Sequence, residues 1–152
     1  MVTVAQVQPS DPAVAALIEA HQAAARLHYA PEDCHSEDAD ALADAATRMF
    51  AASHDGKVIA IGGYKLIGEA VAEVKSVYAD PGARGLGAGK ALMGHLMADA
   101  KAAGVSHLLL EAGTDTYAAP ARALYTRMGF SQRGPFGAYS SAAASTFMEC
   151  AL

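Results

Sequence analysis

The stretch Arg84-Gly85-Leu86-Gly87-Ala88-Gly89-Lys90 sets three alternate glycines between a strand-like run and an amphipathic run. Glycine lets a backbone turn through left-handed conformations and come close to a ligand. The first N–H groups of a helix have no partner within it, and the helix dipole makes that end positive. Such a loop at a helix start is an anion cradle, suited to phosphate. Two familiar phosphate loops fail on counting. The nucleoside-triphosphate loop needs Gly, four residues, then Gly-Lys-Ser/Thr, but Arg84 stands at its first position and Ala91 at its last. The dinucleotide fingerprint needs Gly or Ala where Lys90 stands. A nucleotide-phosphate enzyme is thereby set aside, and a structural glycine turn is the plain alternative.

Other chemistry is thinner. Six histidines (His21, His28, His35, His54, His95 and His107) show no ligand spacing, and no metal site is expected. Cys34 and Cys150 lie too far apart in sequence to read as a zinc site or a disulfide framework, and neither has a base partner. A reduced, cytoplasmic protein is the expectation. The net charge of −5 speaks against nucleic acid. There is no apolar run long enough for a membrane span, and no secretory leader is expected. Charge is unevenly placed: residues 1–80 sum to −7 and residues 81–152 to +2. Glu32, Asp33, Glu37, Asp38, Asp40 and Asp44 cluster with no base among them. That cluster is either a solvated face or a field that draws a cation to the first half and an anion to the second.

These groups need elements to position them. Residues 2–8 alternate like an opening strand. Asp11 and Pro12 begin a helix whose inward face is Val14, Leu17, Ile18, His21, Ala25 and His28. Ser36 is expected to cap a second short helix with Leu42, Ala45 and Met49 inward. Phe50–Ser53 and Lys57–Ile67 read as strands joined by a tight Asp55-Gly56 turn. Gly62-Gly63 inside the second strand implies a bulge or a close backbone approach. Glu73–Ala79 is a strand, and its alternation predicts Glu73, Lys75, Val77 and Ala79 on one face. A helix runs from the glycine loop to its end at Gly104, followed by the apolar strand Val105–Glu111 and a helix from Pro120 through Met128, closed by Gly129. Strands beginning at Phe130 and over Ser145–Cys150 complete an α/β chain with a mixed sheet.

Arg84, Gly87 and Gly89 satisfy the pattern Arg/Gln-x-x-Gly-x-Gly/Ala, and Leu124-Tyr125-Thr126-Arg127-Met128-Gly129-Phe130 follows at a suitable distance. With these two motifs the sequence resembles the GNAT N-acetyltransferase superfamily. The segment 134–139 is similar to one in its small stand-alone bacterial members. The resemblance implies a mixed, mostly antiparallel central sheet of about seven strands with about four helices. It implies a single N-acetyltransferase domain over residues 1–152, binding acetyl-CoA as acyl donor and forming a homodimer. By matching position, the strand end Val77, Tyr78 and Ala79 would pair with the pantetheine arm. Arg84, Gly85, Leu86, Gly87, Ala88, Gly89 and Lys90 would hold the diphosphate. Many members carry Asn or Gln seven residues before the signature tyrosine, and here that place is Ala118, so one side-chain contact to the arm is missing.

Acyl transfer to an amine needs a free lone pair on nitrogen, stabilisation of the oxyanion and a proton for the leaving thiolate. The resemblance implies Glu73 as general base, Tyr125 as general acid and the Val77 N–H as oxyanion donor. Beside these stand plainer readings: Glu73 as an ion-pair partner of Lys75, and Tyr125 as a core tyrosine with a wet hydroxyl. The acceptor is a small-molecule or protein amine. It would be met by His28, Tyr29, residues 28–40 and loop 134–144, and the acidic cluster favours a cationic one. A non-catalytic acyl-CoA-binding module would keep the loop but need neither Glu73 nor Tyr125.

Overall fold

The computed structural model describes every residue from Met1 to Leu152. Seven strands form one sheet: β1 (Val2–Val7), β2 (Thr47–His54), β3 (Lys57–Gly68), β4 (Val71–Ala79), β5 (His107–Gly113), β6 (Ser131–Arg133) and β7 (Ser145–Ala151). Their order across the sheet is β1-β2-β3-β4-β5-β7-β6. Every neighbouring pair is antiparallel except β4 and β5. The expected mixed, mostly antiparallel sheet is what forms.

Four helices cover it: α1 (Pro12–His28), α2 (Ala39–Leu42), α3 (Ala88–Ala102) and α4 (Ala119–Arg127). Strand alternation splits the core between the two faces. Met49, Ala51 and Ile61 pack with Val14 and Ile18 of α1 and Leu42 of α2. Phe50, Ala52, Ala72, Val74, Leu108 and Leu110 pack with Leu92, Met93 and Leu96 of α3 and Tyr125 of α4. Pro12 starts α1 as expected, but the Asp11 carboxylate accepts from the Gln8 N–H, 3.2 Å, and caps no helical amide. Gly104 and Gly129 close α3 and α4 with φ of 93° and 101°, conformations glycine adopts at little cost. Asp55 and Gly56 both have positive φ, as a two-residue hairpin requires.

The second helix differs from expectation. It is a single turn capped by Asp38, whose carboxylate accepts from the Ala41 N–H at 2.8 Å, and Ser36 lies before it. Ala45 is exposed and Met49 belongs to β2, which begins at Thr47. Apolar residues at 42, 45 and 49 fit a helical period by coincidence; Leu42 and Met49 reach the same core from different elements.

The strand that matters most is also irregular. Lys75 lies opposite Gly63 and Tyr78 opposite Ile61, so Ser76 and Val77 together face the single residue Gly62. This is a β-bulge, with Ser76 at φ 55°. It resets the alternation. Val77 packs against the α3 core instead of sharing a face with Glu73 and Lys75, while Tyr78 turns to the α1 side. The predicted common face of Glu73, Lys75, Val77 and Ala79 is therefore broken after Lys75. Gly62 and Gly63 are required here. A Cβ on Gly62 would come 3.0 Å from the Val77 side chain, and one on Gly63 would collide with the Arg48 carbonyl.

Candidate active site

β4 and β5 stay in register only over Val71–Glu73 and His107–Leu109. Beyond that they part, and the cleft between them opens into a cavity of about 650 Å³. Ser76 and Val77 have no register partner on β3 or on β5. The bulge thus sets a short irregular piece of backbone on the cavity wall.

One end of the cavity is the glycine loop. Asp80 begins a short turn by accepting from the Gly82 N–H at 3.0 Å. Gly85 and Gly87 then have φ of 85° and 75°, and Gly87 is the residue from which α3 springs. A Cβ at either would meet no atom within 4 Å, so here the requirement is conformational and the outer side is open. No backbone N–H from Gly85 to Lys90 donates to a carbonyl of the chain, and the first to do so is Ala91, to Gly87. Six free amides, the α3 dipole and the Arg84 and Lys90 side chains fit a diphosphate. Gly89 does a different job: its Cβ would come 3.0 Å from Leu124, so its bareness lets α3 and α4 approach. Ala118 is buried at the start of α4 on the cavity wall.

The other end is built on the opposite face of the sheet. The Glu73 carboxylate is 7% exposed. It accepts from the Tyr139 hydroxyl at 2.7 Å and pairs with the Lys75 ammonium at 3.4 Å. Lys75 also bonds Glu37 at 2.5 Å. Residues 34–38 and loop 134–144 are therefore fastened to β4 through one network, with the His35 ring edge-on to Tyr139 at 5.2 Å. Tyr125 enters from the α4 side. It is 6% exposed and leans on the Phe130 ring, and its hydroxyl has no hydrogen-bond partner within the chain. Burial, helped by the charge of Glu111, pushes its pKa well above the usual tyrosine range. Glu73 and Tyr125 thus reach one cavity from opposite faces, through the gap between β4 and β5.

Glu111 and the Tyr139 contact went unread in the sequence, whereas Lys75 was read as the ion-pair partner of Glu73, and His28 and Tyr29 as acceptor-side residues. Glu111 points from β5 to the same side as Leu109 and accepts from the Ser145 hydroxyl at 3.0 Å. Burial is the main cause that raises its pKa. Tyr139 and Lys75 hold Glu73 from two sides. Tyr29 donates to Asp115 at 3.0 Å, and His28 stacks on Tyr117 at 3.9 Å, so the end of α1 is clasped to the β5–α4 loop. Of the acidic cluster only Asp33 lines the cavity; Glu37 pairs with Lys75, Asp38 caps α2 and Asp44 pairs with Lys65.

The sequence profile of the acetyltransferase (GNAT) family matches residues 14–130. This chain belongs to the GNAT acetyltransferase family. It is 38% identical over 149 residues to an IAA acetyltransferase of Azospirillum brasilense, covering 97% of this chain and 96% of that one. A Klebsiella pneumoniae structure, provisionally named an acyl-CoA N-acyltransferase, superposes with a TM-score of 0.82 at 30% identity, covering 100% and 98% of the two chains. The PaiA N-acetyltransferase of Thermoplasma acidophilum, solved in complex with coenzyme A, shares the fold at 14% identity, with a TM-score of 0.73 and coverage of 100% and 99%. The family places this GNAT protein among acetyl-CoA-dependent N-acetyltransferases, which act on amine acceptors. No helix in it is long and apolar enough to cross a membrane.

Proposed function

We propose that residues 1–152 act as a single domain that moves an acetyl group from acetyl-CoA to a primary amine by direct transfer in a ternary complex. One observation carries this reading: the free-amide loop, the bulged backbone of Ser76–Val77, Glu73 and Tyr125 all line one cavity. Acetyl-CoA supplies the activated thioester. The amides of Gly85, Leu86, Gly87, Ala88, Gly89 and Lys90, with the Arg84 side chain, hold its diphosphate. The backbone of Val77, Tyr78 and Ala79 aligns its arm, and the Val77 N–H donates to the thioester oxygen.

Two protons leave the acceptor nitrogen. Glu73 takes the first from the ammonium and passes it to water. Its carboxylate is held at the cavity wall by the Lys75 ammonium and the Tyr139 hydroxyl. The second proton ends on the departing sulfur. Tyr125, kept protonated by burial, gives that sulfur a hydrogen bond as charge develops on it. The reading includes a homodimer in the reducing cytoplasm, where the free thiols Cys34 and Cys150 stay reduced.

The test is Glu73→Gln, with acetyl-CoA-dependent thiol release followed from pH 6.5 to 9.5. Loss of the base should lower kcat/KM by about 10²-fold near neutral pH. The deficit should shrink as the pH rises, because free amine then forms without help. An unimpaired rate at pH 7 would return Glu73 to a tie between loops.

A further inference from the structure

We infer that the acceptor is a cationic amine on a flat aromatic body with no carboxylate beside its nitrogen, and that Glu111 makes this choice by holding the ammonium. The inference rests on the acetyl-transfer reading and names the substrate class of that same site.

The carboxylates of the acceptor end are Asp33, Glu73 and Glu111. Glu73 already has a cation and a hydroxyl. Glu111 has the Ser145 hydroxyl and no cation. A carboxylate taken out of water without an opposite charge is costly, and a ligand ammonium would supply that charge. The His35 ring, which lines the same cavity, is a basic group whose charge bears on Glu111, but it forms no ion pair with it. The one ammonium among these groups, Lys75, is held by Glu37 and Glu73.

The walls point the same way. Five of the six tyrosines line this cavity: Tyr29, Tyr78, Tyr117, Tyr125 and Tyr139. Tyr29, Tyr125 and Tyr139 all feel the charge of Glu111. None of them donates to it: the Tyr29 hydroxyl goes to Asp115, that of Tyr139 to Glu73, and that of Tyr125 to no group of the chain. A carboxylate whose neighbours offer rings in place of O–H donors is the surrounding an ammonium seeks, since ring faces attract cations. The same rings stack on a flat body. An acceptor with a carboxylate on the amine-bearing carbon would bring a fourth negative charge among Asp33, Glu73 and Glu111, with Lys75 already engaged.

The experiment compares 2-phenylethylamine, phenylalanine and n-butylamine in acetyl-CoA-dependent thiol release. The first two differ only in the carboxylate; the third lacks the ring. The parent should prefer 2-phenylethylamine over phenylalanine by about 10²-fold in kcat/KM, and over n-butylamine by about tenfold. Glu111→Gln, of the same shape, should raise KM for 2-phenylethylamine and shrink its preference over phenylalanine toward unity. The acetyl-CoA Kd, measured by calorimetry, should stay unchanged and so report that the variant is folded. Equal use of phenylalanine by the parent, or an undiminished preference in Glu111→Gln, overturns the inference and leaves acetyl transfer to amines standing. Bound acetyl-CoA with no thiol release on any amine overturns both.

Discussion

His21 Nδ1 is the one buried side-chain nitrogen or oxygen without a hydrogen-bond partner. The ring sits on the inward side of α1, 5.4 Å from the Tyr78 ring. Burial lowers its pKa from the ordinary 6.5 to about 4. At about 1.4 kcal/mol per tenfold change in proton affinity, that difference is worth about 3 kcal/mol. Between pH 6.5 and 4 the unfolded chain takes up a proton that the folded chain refuses. The contribution of neutral His21 is therefore complete above pH 6.5 and is lost as the pH falls toward 4. Glu111 acts with the opposite sign: its raised pKa gives stability at low pH that is lost as the pH rises. Subtracting a variant profile separates the two. Urea unfolding of the parent and of His21→Phe, measured from pH 5 to 7.5, should diverge steadily. From pH 7 to pH 5 the parent should lose about 2 kcal/mol more than His21→Phe. Parallel profiles would show that His21 is hydrated or paired in solution, and the argument from its burial would fail.

Tyr125→Phe keeps the ring and removes the donor, so kcat should fall by about 10²-fold while the acetyl-CoA Kd hardly moves; a near-normal kcat would leave Tyr125 as a core residue. Gly63→Ala sets a methyl against the Arg48 carbonyl, a backbone atom that cannot step aside. It should destabilise the fold by about 1–3 kcal/mol in urea titration, whereas an unchanged midpoint would mean that the β2–β3 contact is looser than described.

The glycine loop was legible because its demands are local. Left-handed turns at Gly85 and Gly87 need glycine, and the free amides follow from any helix start. The hairpin at Asp55-Gly56 and the helix ends at Gly104 and Gly129 were legible for the same reason. The bulge was not. Its residue of positive φ is Ser76, which carries no signal, and one inserted residue reverses every side chain after it. Gly62, its partner across the strand, was read as a bulge or close approach without saying which strand would bend. The roles of Lys75, Glu37 and Tyr139 depend on residues 38 to 66 positions apart meeting over β4, which no spacing encodes. Glu111 was hidden as the last residue of an apolar run. Only the pairing of β5 with β7 brings Ser145 to it.

Isothermal titration of acetyl-CoA into the parent and Gly87→Glu tests most directly whether this cavity is the donor site. A glutamate at 87 projects into the open side of the loop, facing the six free amides with like charge for a diphosphate. Its left-handed backbone costs only about 1–2 kcal/mol, so the variant should remain folded by circular dichroism. The parent is predicted to bind one acetyl-CoA per chain and the variant to give no binding heat. Equal affinity in a folded Gly87→Glu would contradict the account, because the diphosphate would then be held somewhere other than the start of α3.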